Sequence, residues 1–135
     1  MRVIVDTSVW SLSLRRRDPV STPETEALRE LIIEGRAVML GSIRQEILSG
    51  VRYTEQFDRL ARILETFPNE LINSSDYVRA AQMCNDCLDA GVITGNTDIL
   101  ICAVAAERGY EILTTDKDFQ NIAKAIPIKL YEDKP

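Results

Sequence analysis

Short apolar runs alternate along this chain with longer stretches of helical periodicity, and that alternation narrows the fold more than any other feature. It predicts an α/β fold whose strands lie parallel, joined by helices. Strands are expected near 2–6, 37–40, 70–72, 111–115 and 128–131, forming a central, mostly parallel twisted sheet of about five strands with helices on both faces. Thr22 with Pro23 (or Ser21) gives a helix start, with Ala27, Leu28, Leu31 and Ile32 facing inward as far as Gly35. Ser42 and Gln45 match a capping box for a helix reaching Gly50. Thr54 is placed to cap a helix carrying Phe57, Leu60, Ala61 and Leu64. Ser74 or Ser75 opens a longer one, with Tyr77, Val78, Ala81, Cys84 and Leu88 expected inside and Gly91 as its stop. Asn96 or Thr97 is expected to cap the most apolar helix, 98–108, closed by Gly109. Residues 131–135 read as a frayed tail.

The 135 residues, 45% hydrophobic and 27% charged, read as one domain over 1–135 with a single core. No apolar run approaches the length of a membrane span. The opening apolar stretch is broken by Asp6, and Arg15-Arg16-Arg17 follows it, the reverse of a secretory signal. A cytoplasmic protein with no membrane partner is the expectation. Three cysteines do not suggest a disulfide framework, and Cys84-x-x-Cys87 falls inside a predicted helix with no histidine to complete a zinc site.

Four acids punctuate the pattern. Asp6 ends Val3-Ile4-Val5, Glu46 lies about a turn into the helix after Val38-Met39-Leu40, Asp98 opens Ile99 to Ala106, and Asp116 ends Ile112-Leu113-Thr114-Thr115. In a doubly wound sheet, strand C-termini and helix N-termini share one edge, where such folds bind ligands. Taken singly, each acid has a plain structural role, as a helix cap or a solvated residue. Taken together, converging carboxylates must either hold protons or bind a cation. Carboxylate oxygen suits Mg²⁺, or Mn²⁺ as a substitute, better than zinc. The chain contains no histidine, which removes Ser-His-Asp, Cys-His and imidazole-based chemistry. Metal-assisted attack on a phosphodiester remains.

A net charge of -5 speaks against a nucleic-acid partner. The objection weakens because Asp6, Glu46, Asp98, Asp116 and Asp118 alone account for that excess, and bound divalent cations would offset most of it. Arg15, Arg16, Arg44 and Arg52 are the candidates for contacting an RNA backbone, with Arg17, Arg59 and Arg62 nearby in sequence. Solvated arginine is the plainer reading of each. Trp10 is assigned to packing rather than to stacking on a base.

These segments also resemble a known family. Val3-Ile4-Val5-Asp6-Thr7-Ser8-Val9-Trp10 resembles the opening of PIN-domain ribonucleases, especially VapC-type toxins of toxin–antitoxin pairs. Arg44-Gln45-Glu46-Ile47-Leu48-Ser49-Gly50, Thr97-Asp98-Ile99-Leu100-Ile101-Cys102-Ala103-Val104-Ala105 and Leu113-Thr114-Thr115-Asp116-Lys117-Asp118-Phe119 resemble the second, third and fourth motifs, in order. The resemblance implies a PIN-like fold and an Mg²⁺-dependent endoribonuclease. Asp6, Glu46, Asp98 and Asp116 would be both the catalytic and the metal-binding acids. Asp118 would be an additional acid, and the Thr114 hydroxyl would orient the site. It further implies RNA as substrate, a homodimer, and a cognate antitoxin whose tail enters the active-site groove. Three alternatives stand beside it. A receiver-type phosphoacceptor domain needs paired acids after the first strand and a lysine–proline at a strand end, whereas Asp6 is followed by Thr7 and Lys134-Pro135 ends the chain. An Asp-x-Asp phosphatase fails because Ser8 occupies the place of its second acid. A non-catalytic PIN-like binding module is the blander reading.

Overall fold

The computed structural model describes residues 1–15 and 21–132. The Arg16 and Arg17 expectations, and the end of the expected tail, lie outside the described residues. Strand β1 (Val3–Val5) sits in the middle of a three-stranded sheet and is fully buried. It pairs in parallel with β2 (Ala37–Val38) on one side and β3 (Glu111–Leu113) on the other, so Ile4 lies between Val38 and Ile112.

The sheet is narrower than the expected five strands. Residues 70–72 and 128–131 form no strands. Each region contributes one parallel bridge, Met39 with Asn69 and Ile112 with Leu130. Pro68 and Pro127 stand just before these segments and cannot donate to a ladder, and Leu71 turns out to solvent. Short edges of this kind also resist pairing with other chains.

Seven helices surround the sheet among the described residues. α1 (Thr7–Leu14) packs on α2 (Pro23–Ile33) and α3 (Gly41–Leu48), and α3 packs on α4 (Thr54–Leu64). α5 (Ser74–Asp89) packs on α6 (Asn96–Arg108) and α7 (Asp118–Ala125). The chain moves outward from β1 to β2, then returns past β1 to β3. The helices thus form two packed groups, α1 to α4 and α5 to α7. α6 is buried without interruption from Ile99 to Ala105 and rests on β1 and β3. A helix with no polar face belongs inside. Gly109 ends it in the left-handed conformation, at φ 70°.

Several helix starts differ from the sequence pattern. Thr22 does cap α2, in a reciprocal box with Thr25. α3 instead begins at Gly41, and Ser42 is already inside it with a buried hydroxyl that has no partner. α5 is capped by Asn73 in a box with Asp76, and Gly95 precedes α6 without a side-chain cap. The rotation of α5 also differs. Asp76, Ala80, Met83 and Cys87 face inward, while Tyr77, Val78, Ala81 and Leu88 are exposed and Cys84 is half-buried. Both sets have helical spacing, one residue out of phase, so periodicity alone cannot choose between them.

An ion pair accompanies the observed rotation. The Arg108 guanidinium donates to both oxygens of buried Asp76 at 3.1 and 3.0 Å and pairs with Glu70 at 3.0 Å. Glu70 also accepts from the Tyr110 hydroxyl at 2.9 Å. The Arg108 bond holds the Asp76 carboxyl below its ordinary value of 3.8. Arg108→Ala leaves that carboxylate buried without its partner and is expected to cost about 2 kcal/mol. Stability from a depressed carboxyl is present above its unfolded value and lost on acidification. The gap between variant and wild type in thermal denaturation should therefore narrow below about pH 4; a gap independent of pH would contradict this role.

Candidate active site

The sheet order places Asp6, at the end of β1, beside the segment that follows β3. This is the point where the chain's crossovers diverge, and parallel sheets open a crevice there. Asp6 occupies the N-cap position of α1 but makes no side-chain cap bond. Its side chain is drawn elsewhere. Oδ2 accepts from the Ser8 hydroxyl at 2.9 Å and the Thr114 hydroxyl at 2.8 Å. Thr114 in turn accepts from the Asp116 amide at 3.0 Å, and Ser8 accepts from the Thr115 amide at 3.2 Å. These bonds join the ends of β1 and β3 and fix a carboxylate only 5% exposed.

Glu46 reaches the same edge from α3, where its Oε1 accepts from the Thr7 hydroxyl at 2.9 Å. Asp116 accepts the Asp118 amide at 2.9 Å, a local turn that starts α7, so part of its role is structural. Asp98 lies in the first turn of α6, carried inward by the burial of that helix. Burial raises its carboxyl to about 6, reinforced by the negative charges of Asp6, Asp116, Glu46 and Asp118 in that order. The other four acids named from the sequence thus all act on Asp98. No lysine or arginine pairs with any of them among the described residues.

The donor set is entirely carboxylate and hydroxyl oxygen, which fits a hard divalent ion. Among the described residues, no group of three acidic or cysteine side chains is placed to hold a metal ion together. The donor chemistry fits an ion bound by one or two carboxylates, with water completing its shell as Mg²⁺ prefers. Cys102, a turn beyond Asp98, adds no nucleophile. Burial, then the Asp98 charge, push its thiol up. Cys84 and Cys87 are free cysteines on α5.

The expected RNA-facing arginines separate. Arg44 turns to the protein: its guanidinium donates to the Leu64 carbonyl at 2.7 Å, to Asn69 Oδ1 at 3.0 Å and to the Phe67 carbonyl. It pins the end of α4, so its nitrogens are engaged away from any ligand. Arg15 and Arg52 are exposed. Trp10 is buried, donating to the Val5 carbonyl at 3.0 Å and meeting the Phe67 ring edge-on at 5.0 Å. In sequence, Thr7 and Ser8 figure only within the first motif and against the two rival folds, with no role for either hydroxyl; the Asp-x-Ser spacing is the available signal for Ser8.

Asp98 keeps its proton to a higher pH in the folded chain than in the unfolded one, so the native state binds more protons between about pH 4 and 6. Stability of the metal-free protein should fall as pH rises through that window. Asp98→Asn removes the penalty and is expected to melt higher than wild type at pH 7.5, by roughly 2–4 °C. The difference should vanish near pH 4; equal melting at both values would contradict the crowding of these acids.

The PIN domain family profile matches residues 3–125. The chain is 29% identical over 126 residues to a VapC ribonuclease of Mycobacterium bovis and to Ribonuclease VapC11 of Mycobacterium tuberculosis, covering 90% of this chain and 92% of each relative. Its backbone superposes on FitAcB from Neisseria gonorrhoeae with a TM-score of 0.74 at 16% identity, covering 96% of both chains. It also superposes on VapBC2 from Rickettsia felis, bound to a DNA fragment from its promoter, at 0.70 and 13% identity over 97% of this chain and 98% of the other. Profile, parallel sheet and acidic edge coincide over nearly the whole length, and the chain belongs to the PIN-domain family.

Proposed function

We propose that this PIN domain, acting as one unit over residues 1–135, is an Mg²⁺-dependent endoribonuclease and the toxin of a VapBC-type pair. The observation that carries the reading is the half-buried Asp98 carboxyl, raised by its burial and by four other acids, with no lysine or arginine paired to any of them among the described residues. The names of the mycobacterial relatives support ribonuclease chemistry. Asp6, Glu46, Asp98 and Asp116 would hold Mg²⁺, with Mn²⁺ as a substitute and Asp118 at the margin. When bound, the ion supplies charge neutralisation at the scissile phosphate and activation of water. The chain's own residues set the geometry. Ser8 and Thr114 fix one oxygen of Asp6. Thr7 steadies Glu46. In-line attack by water would leave a 5′-phosphate and a 3′-hydroxyl. Of the arginines considered for the RNA backbone, Arg15, Arg52, Arg59 and Arg62 are exposed among the described residues and are available to serve. An RNA substrate would be met in the cytoplasm. No helix among the described residues is long and apolar enough to cross a membrane.

The named structural neighbours support an antitoxin partner. So does an apolar groove of about 540 Å³ between α1 and α2, bordered by Leu14, Ile32 and the exposed Ile33, which fits an amphipathic helix. A homodimer draws support from α5. Tyr77, Val78 and Leu88 are 59%, 60% and 51% exposed. A recess of about 510 Å³ lies beside them, bordered by Ala81, Leu100 and the unpartnered Ser42. A ridge and a recess on one patch are what a two-fold interface needs.

Asp6→Asn and Asp98→Asn should abolish cleavage of RNA in Mg²⁺ while leaving the circular dichroism spectrum unchanged. Thr114→Val should reduce cleavage roughly 10- to 100-fold by releasing Asp6. Full activity in EDTA would reject the scheme. Tyr77→Glu is expected to convert a dimer into a monomer in light scattering; a wild type that is already monomeric would reject the α5 interface.

A further inference from the structure

The acidic edge continues into a second, polar groove. It occupies about 590 Å³ between the loop after α5 and one face of α7. Asp118, Asn121 and Lys124 line it at successive three-residue steps, so they share that face. The opposite wall is held in place by the end of α5. Gly91, at φ 79°, donates its amide to the Leu88 carbonyl at 3.0 Å, and Val92 donates to the Cys87 carbonyl at 2.8 Å. Ile93 stands on that wall 87% exposed. The groove is tied to the acids directly, because the Asp118 amide is bound to Asp116.

Its two ends carry opposite charge. Asp118 closes the end next to the acids, and Lys124 lies roughly 9 Å further along the helix axis. A phosphodiester strand is repelled at the first end unless a cation is present, and attracted at the second. Neither Asn121 nor Lys124 is engaged with another side chain among the described residues. The Asn121 carboxamide offers both donors and an acceptor, the pattern that reads a base edge. Ile93 offers an apolar surface to the face of an unstacked base, the form in which single-stranded RNA is read.

We propose that this groove holds the nucleotide flanking the scissile phosphate, with Lys124 on its phosphate and Asn121 on its base, making Asn121 a specificity-determining residue. The inference rests on the ribonuclease reading and deepens it. It is tested by binding rather than by turnover alone. Affinity of the metal-free protein for a short fluorescein-labelled single-stranded RNA is measured by anisotropy across a salt series. Lys124→Ala should weaken binding roughly 5-fold or more, and Lys124→Arg should restore it. The salt dependence of the alanine variant should be shallower by about 0.7 in log–log slope, the loss of one phosphate contact. In Mg²⁺, Asn121→Ala should alter which nucleotide is preferred beside the cut. Wild-type affinity, slope and cleavage preference in Lys124→Ala and Asn121→Ala would overturn the groove, and Mg²⁺-dependent cleavage that Asp98→Asn abolishes would then leave the nuclease reading standing. Lys124-dependent binding with no cleavage by wild type would remove the nuclease and overturn the groove's place beside a scissile phosphate, leaving only a single-strand binding surface.

Discussion

Helix α6 is buried from Ile99 to Ala105, so it has no solvent face and must lie on β1 and β3. Asp98, in its first turn, is carried inward with it. Once there, the carboxylate meets Asp6 from β1, Asp116 from beyond β3 and Glu46 from α3, and its proton is retained to about pH 6. Hydrophobic burial supplies the force that brings these charges together, and their repulsion is a cost the fold accepts. A site that is destabilising when empty and of one sign is a site that a divalent cation stabilises by mass action.

The hydroxyls around Asp6 show how this cost is managed. Ser8 and Thr114 donate to one oxygen of Asp6, and backbone amides of Asp116 and Thr115 in turn hold those two hydroxyls. The ends of β1 and β3 are thereby locked in register with the acid between them. Asp6 consequently faces any ligand from a fixed position, with little reorganisation to make on binding.

Much of this was legible in the chain. The apolar run ending in Asp6 gave the end of β1, whereas β3 stops at Leu113, short of the expected 115; the parallel arrangement still brought Asp6 beside the segment that carries Asp116. Thr114 was named from resemblance, and its bond to Asp6 gives that choice a physical basis. The rotation of α5 was not legible, because stripes at 76, 80, 83, 87 and at 77, 81, 84, 88 have the same period. The buried Arg108–Asp76 pair goes with the first, and it joins residues 32 positions apart. Nor was the fate of Arg44 visible, since its carbonyl partners at Leu64 and Phe67 have no signature in side-chain pattern. The two missing strands failed for a related reason: Asn69 and Leu130 each make one bridge, and a single bridge leaves no alternation to read.

On the proposed reading, the outward stripe on α5 and the α1–α2 groove serve partners and the polar groove along α7 serves the substrate; the recess beside the α5 stripe reaches Thr97 and Ile99, on either side of Asp98. The account as a whole turns on the charge state of one carboxyl. Carbon-13 NMR titration of the Asp98 side chain, in EDTA and again in Mg²⁺, measures it directly. The account predicts a midpoint near 6 without metal, moved well down when Mg²⁺ is added. A midpoint at the ordinary carboxylate value in EDTA, or one indifferent to Mg²⁺, would contradict it.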